Sequence, residues 1–413
     1  MHRLPLTAAI LCVLWGAERG ATQTSLPADA MQVRQAFDAH VPHPPTVATI
    51  GNVRRLFYEL HLTNFATVPL RLLTITVVDD GTGRVLRQVQ GAALDPIIGG
   101  PGVVELGELR RTVGTGRRTV IYIELILDDV APVRLRHRID FDIQSKNRSS
   151  ASAIVGAVTL IRVAKPLILG PPLSGGPWVA IYDPALENGH RRYVYAVGGK
   201  ARIPGRFAID WMRACAPEGA SAGAPVLAVA DAVVVATRDD VAEIVPSMPD
   251  PPLTLGDATG NYVALDLGNE RYAFYEHLAP GLSVKLGDPV RRGQVIGRIG
   301  STGQASRPHL HFHMADANAP LAAEGQPYLL TGARVVGAYR SIAAFEAGEP
   351  WQPKASLEGA PTMPPPNSVI IFQNAASARS SSKLVLSKTR QGNLESRIFS
   401  PAVASPQKAD DVF

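Results

Sequence analysis

Along the first third of the chain, apolar residues return at every second position. In "RRLFYELHLTN" (54–64), Leu56, Tyr58, Leu60 and Leu62 share one parity, the pattern of a strand with one buried face. "PLRLLTITVVDDGTGRVL" (69–86) reads as a strand, a turn at Asp80-Gly81 and a second strand. "RRTVIYIELILDD" (117–129) and "VRLRHRIDFDI" (133–143) continue the pattern. Short strands separated by turn signals, with no helical period, predict an all-β chain opening with an Ig-like antiparallel β-sandwich of roughly 120 residues. His61 and His137 fall on these strands and read as surface or rim residues.

"AKPLILGPPLSGGPW" (164–178) is dense in Pro and Gly and reads as a linker. Beyond it, "APVLAVADAVVVAT", "GNYVALDLGNERYAFYEHL" and "VRRGQVIGRIG" are short apolar strands joined by Gly turns, and the pattern ends near "SVIIF" (368–372). This gives a sandwich over 31–163, a linker over 164–178 and a second β-rich domain over 179–372. Residues 373–413 are rich in Ser, Ala and Lys/Arg without periodicity, and a disordered tail is expected.

At the other end, Arg3 precedes an apolar run from Leu4 to Trp15, too short to span a bilayer but suited to a signal peptide over residues 1–30. "ADA" (28–30) is the best cleavage site. Cys12 falls inside this leader, so the mature chain keeps only Cys215 and no intramolecular disulfide is expected. No later run reaches the roughly 18 apolar residues of a transmembrane helix. An exported bacterial protein, periplasmic or extracellular, is the reading. The net charge of +5 does not change it, because six Lys/Arg against three Asp/Glu after Gln373 place +3 in the tail. No basic stripe interleaved with aromatics remains, which argues against a nucleic-acid partner.

The chemistry gathers in "GSTGQASRPHLHFHM" (300–314), which holds three of the ten histidines. On a strand, His309, His311 and His313 share one face while Leu310 and Phe312 turn to the core. Neutral imidazoles so placed can converge on one metal ion, or divide metal binding and proton transfer between them. "YEHLAPG" adds His277, "RFAIDW" adds Asp210 in an apolar setting where an unpaired carboxylate is costly, and "NGHRRY" adds His190. A zinc hydrolase needs three protein ligands, an open position and a proton-transfer group, and these residues can supply all three.

The run "GNYVALDLG…YAFYEHLAPGLSVKLGDPVRRGQVIGRIGSTGQASRPHLHFH" resembles the lysostaphin/LytM-type zinc peptidases, which cut peptide crosslinks or stems in bacterial peptidoglycan. The likeness extends from about Val179 to Tyr328, and the pair H-L…P-H-L-H-F carries it. It implies a LytM-type β-sheet peptidase domain, one Zn2+ per chain and a peptidoglycan peptide as substrate. It also implies Asp210 and His311 as zinc ligands, with His277 and His309 acting on the water and the transition state. A regulatory protein partner, of unknown identity, is compatible with such a domain.

The family's first ligand stands four residues before the aspartate, where this chain has Arg206, and a guanidinium cannot ligate. Either His190 completes a His190/Asp210/His311 set, with His313 as a possible surrogate, or the domain is a metal-free relative. In the second case it would bind cell wall or regulate another wall hydrolase. Arg206 is expected near the site, paired with a substrate carboxylate or with Asp210. "GDPVRRGQVIGRIG" also resembles half of a lipoyl or biotinyl carrier, but no lysine stands at the required hairpin tip.

Overall fold

The alternation at 54–64 forms a twelve-residue strand, Val53–Asn64. It pairs antiparallel with Phe37–His40, Thr46–Ile50 and Arg118–Ile126 in one sheet, which Ile98–Gly99 extends. A second antiparallel sheet holds Arg148–Leu160, Arg134–Ser145, Leu70–Asp79 and Val85–Gln90 in that order, with Thr112–Val113 on Leu70–Asp79. Leu56, Leu60, Leu62, Leu72, Ile121, Ile139 and Phe141 pack between the two sheets. The computed structural model describes residues 36–373, apart from 101–105, 129, 146–147, 164, 183–188, 215–218, 245–253 and 358–359. The leader, Cys215 and the tail beyond Gln373 lie outside the described residues.

Several strands escaped the sequence reading, three of the longer ones in the sandwich. Phe37–His40 and Thr46–Ile50 flank a Pro-rich stretch, and Arg148–Leu160 ("RSSASAIVGAVTL") is built from small and polar residues that carry little alternation. The expectation for His61 and His137 is corrected: both are buried. His137 Nδ1 donates to the Ala157 carbonyl at 2.8 Å, so its Nε2 accepts from the Tyr58 hydroxyl, also at 2.8 Å. Burial outweighs the Ala157 bond and pushes this imidazole down to about 4.

The second half is dominated by one ten-stranded antiparallel sheet. Its order is Pro289–Val290, Ala232–Arg238, Asn261–Asp266, Tyr272–Leu278, Leu310–Ala315, Ile209–Arg213, Gly175–Ile181, Ser368–Phe372, Ala333–Ala338 and Gln352–Leu357. The Pro/Gly stretch read as a linker contributes structure of its own. Gly175–Ile181 sits inside this sheet, and Leu167–Leu169 pairs in parallel with Tyr328–Leu330. Apolar triplets such as "LIL" and "WVA" supply these contacts where the local Pro and Gly hide the period.

The principal core lies on one face of the large sheet, built on Trp178, Trp211, Tyr275, Phe312 and Tyr328. Ala48, Ile50 and Phe57 from the first half belong to the same cluster. Phe57 meets Phe207 edge-on at 6.1 Å between ring centroids. The Val53–Asn64 strand is therefore buried on both faces: Leu56, Leu60 and Leu62 inside the sandwich, Phe57 and Glu59 against the second half, and His61 beside His40 on that same face. Burying a Phe side chain contributes about 1.5–3 kcal/mol.

Candidate metal centre

Three adjacent strands carry the site. In Ile209–Arg213, Leu310–Ala315 and Tyr272–Leu278, Asp210 pairs across to His311, and His311 to Glu276. Alternation turns Ile209, Trp211, Leu310, Phe312 and Tyr275 into the core and leaves the Asp210–His311–Glu276 row on the opposite face. His313 follows on that face two residues beyond His311, its ring stacked on Phe274 with 4.9 Å between centroids.

Asp210 is the focus of three imidazoles. His311 Nδ1 lies 2.9 Å from Oδ1, His190 Nε2 3.1 Å from Oδ2 and His309 Nε2 3.6 Å from Oδ1. Burial works to raise the Asp210 carboxyl, yet the His190 and His309 charges and the hydrogen bonds of His190 and His311 hold it well below its usual value. Burial alone would lower His190, but Asp210 and a hydrogen bond with the Ala208 backbone leave it raised. His311 is lowered, by burial first, against its bond to Asp210. The arrangement brings together the five residues given ligand or proton-transfer roles in the sequence: His190, Asp210, His277, His309 and His311.

His190 arrives from outside the sheet, on the 3-10 turn His190–Arg192. That turn lies against a second one, Pro204–Phe207, and Gly205 makes the approach possible. A Cβ at Gly205 would stand 2.9 Å from the His190 Cβ. Arg206 differs from expectation: it pairs with Glu324 at 2.6 Å and with Glu59, rather than with Asp210. The guanidinium belongs to an ion cluster beneath the site, and His190 takes the place beside Asp210.

His277 and His309 stand together, 4.6 Å between ring centroids. His277 adopts φ +62°, a left-handed conformation that costs a non-glycine residue about 1–3 kcal/mol and collects at functional sites. Backbone bonds hold it there, from its N–H to the Thr259 carbonyl at 3.0 Å and from the Gly300 N–H to its own carbonyl at 3.1 Å. His277 Nδ1 meets the Thr302 carbonyl at 2.8 Å, and His309 Nδ1 the Arg307 carbonyl at 2.8 Å. Each Nδ1 is therefore the donor, and His277 keeps the lone pair on its Nε2. Burial, then the neighbouring His309 and His311, keep His277 neutral by pushing it well below its usual value.

Among the described residues, two groups of donors have metal-binding proximity. The ligand atoms of His190, Asp210 and His311 lie within 4.8 Å of one another, as do those of Glu276, His311 and His313. The first fits a hydrolytic zinc ion: one ionised carboxylate and two imidazoles, with His190 and Asp210 partly open to solvent. The second is buried throughout. Burial, then the charge of Asp210, raise Glu276 well above its usual value and favour its neutral acid. Glu276 Oε1 and the His313 ring nitrogens complete no well-formed hydrogen bond. Sequence reasoning missed Glu276, although it stands immediately before His277. A cavity of about 240 Å³ opens over the first group, with His190, Asp210, His277, His309 and His311 in its wall. A larger cavity, about 800 Å³, borders Arg206 and Glu324 between the two halves and includes none of those five.

Residues 218–323 match Peptidase family M23. The chain carries a LytM-type peptidase M23 domain. The matched segment contains His277, His309 and His311, while Asp210 and His190 precede it. Peptidoglycan DD-endopeptidase ShyA of Vibrio cholerae is 37% identical over 101 residues, 24% of this chain and 20% of ShyA. Glycyl-glycine endopeptidase ALE-1 of Staphylococcus capitis is 54% identical over 39 residues, 9% of this chain and 10% of ALE-1. The chain thus spans a fifth or less of the length of these relatives. A solved zinc-containing peptidase from Vibrio cholerae is 13% identical with a TM-score of 0.25, covering 72% of this chain and 87% of its own.

Proposed function

We propose that this protein is an exported zinc-dependent endopeptidase that hydrolyses peptide bonds in peptidoglycan. The observation that carries the reading is the convergence of His190, Asp210 and His311, with His277 and His309 beside them, on a domain of peptidase family M23. His190, 3.1 Å from Asp210, supports a complete ligand set despite Arg206, and so favours the enzyme over a metal-free binding module. We also propose the leader, sandwich and peptidase divisions given above as the domain organisation.

His190, Asp210 and His311 would hold the ion. Bound there, zinc would supply a Lewis acid for the scissile carbonyl and would lower the pKa of a water to ~7. His277 presents an unprotonated Nε2 to the cleft with His309 beside it, so His277 can take a proton from the attacking water and the pair can pass it to the leaving amine. Their Nδ1–H bonds to backbone carbonyls fix the orientation of both rings.

The test is digestion of purified peptidoglycan by the zinc-loaded protein, with released fragments identified by mass spectrometry. New amino termini that disappear with a chelator and in His311→Ala are expected. Intact peptidoglycan after treatment with fully loaded protein would sink the substrate assignment.

A further inference from the structure

The ligand His190 rests on a turn of three residues, His190–Arg192, closed by the Arg192 N–H to Gly189 carbonyl bond at 2.8 Å and the Tyr193 N–H to His190 carbonyl bond at 3.3 Å. Such a turn fixes a side chain less firmly than a sheet strand does. The other two side chains of the turn are gripped by the sandwich. Arg191 donates to Glu59 Oε1 and to the Tyr58 and Ile123 carbonyls, each at 2.8 Å, and its guanidinium lies over Phe57 and Tyr122. Arg192 donates to the Pro96 carbonyl at 2.7 Å and stacks on Tyr122 at 3.9 Å.

Glu59 has two arginine partners, one from each turn. Its Oε1 takes Arg191, the neighbour of His190; its Oε2 takes Arg206, four residues before Asp210. All three side chains are 7% exposed or less, so each charge depends on the others for compensation. One carboxylate in the sandwich therefore joins the turn bearing His190 to the turn leading into the Asp210 strand.

We propose that Glu59 is a positioning residue for the metal site: through Arg191 and Arg206 it sets His190 beside Asp210, making the sandwich part of the site. The inference rests on the zinc peptidase reading above. It accounts for a charged residue buried on the outward face of a sandwich strand. It also explains how a ligand outside the family segment, on a short turn, is held in register with ligands on the sheet. Groups that orient a metal ligand typically change affinity 10–100-fold when altered.

The test uses the full chain carrying Glu59→Gln, which keeps the side chain's shape and removes its charge. Zinc affinity is measured by chelator competition, and the ligand set by the visible spectrum of the cobalt(II)-substituted protein at saturation. A 10–100-fold loss of zinc affinity is expected, with a saturated cobalt spectrum matching that of His190→Ala, because the same ligand is displaced. Unchanged affinity, or weakened affinity with the wild-type cobalt spectrum at saturation, overturns the proposal. Should Glu59→Gln fail to fold, Arg191→Lys takes its place under the same criteria, since Lys cannot reach all three of Arg191's acceptors. Failure of the wild-type chain to bind zinc overturns the peptidase reading itself; normal wild-type binding with an unaffected variant overturns only the role of Glu59.

Discussion

Replacing Arg206 with Met removes a buried charge while keeping most of the apolar stem. Arg206 is 7% exposed, and the carboxylates it meets, Glu59 and Glu324, are 4% and 11% exposed. It gives up two hydrogen bonds to Glu324, at 2.8 and 2.6 Å, and one to Glu59. At about 1.5–3 kcal/mol for each charged bond, a simple sum would be excessive. Glu59 retains Arg191, and Glu324 retains the Ile203 N–H at 3.1 Å and His43 at 3.4 Å. The expected cost is therefore that of breaking a buried ion pair, about 3–5 kcal/mol. Urea unfolding followed by the fluorescence of the buried Trp178 and Trp211 reads it out. The exposed pair Arg340–Glu349, 68% and 41% exposed, is the comparator: Arg340→Met should cost less than about 1 kcal/mol. If Arg206→Met costs no more than Arg340→Met, the cluster is not the buried support described here.

Replacing His277 by Asn, which tolerates the left-handed backbone, or His309 by Ala should leave zinc bound and lower turnover by about 10²–10⁴-fold. Loss of metal in either variant would show that the two roles are wrongly divided. Gly205→Ala should weaken zinc binding by about tenfold or more, because the new methyl group falls against His190; a calorimetric titration indistinguishable from wild type rejects that contact. Acid should destabilise the sandwich through His137: the unfolded chain takes up a proton near pH 6.5, the folded one only near about 4. Its contribution is thus complete above about pH 6.5 and declines as the pH falls toward about 4, by roughly 3 kcal/mol in all. Unfolding free energies across that range should flatten in His137→Leu, and an undiminished slope would assign the effect elsewhere.

The parity of Leu56, Tyr58, Leu60 and Leu62 was legible because strand alternation sorts side chains without reference to the rest of the fold. The same rule sent Phe57, Glu59 and His61 to solvent, and there it failed. Their face is covered by the second half of the chain, a contact no local pattern encodes. The His309–His311–His313 face was readable for the same reason that the sandwich core was. His190 was readable only as a candidate, since a turn some twenty residues from Asp210 has no fixed spacing to the sheet. Arg206 was misplaced because its partners, Glu59 and Glu324, are separated from it by more than a hundred residues. Arg191 and Arg192, beside His190 in "GHRR", were the local hints that the turn is anchored by charge.

The most direct test of the metal centre is elemental analysis of the untagged protein, wild type and His190→Ala, after zinc reconstitution and exhaustive dialysis. The account predicts about one zinc per wild-type chain and a substantial loss in the variant, because three ligands become two. A wild-type chain that retains no zinc, or a variant that retains as much as wild type, would contradict it.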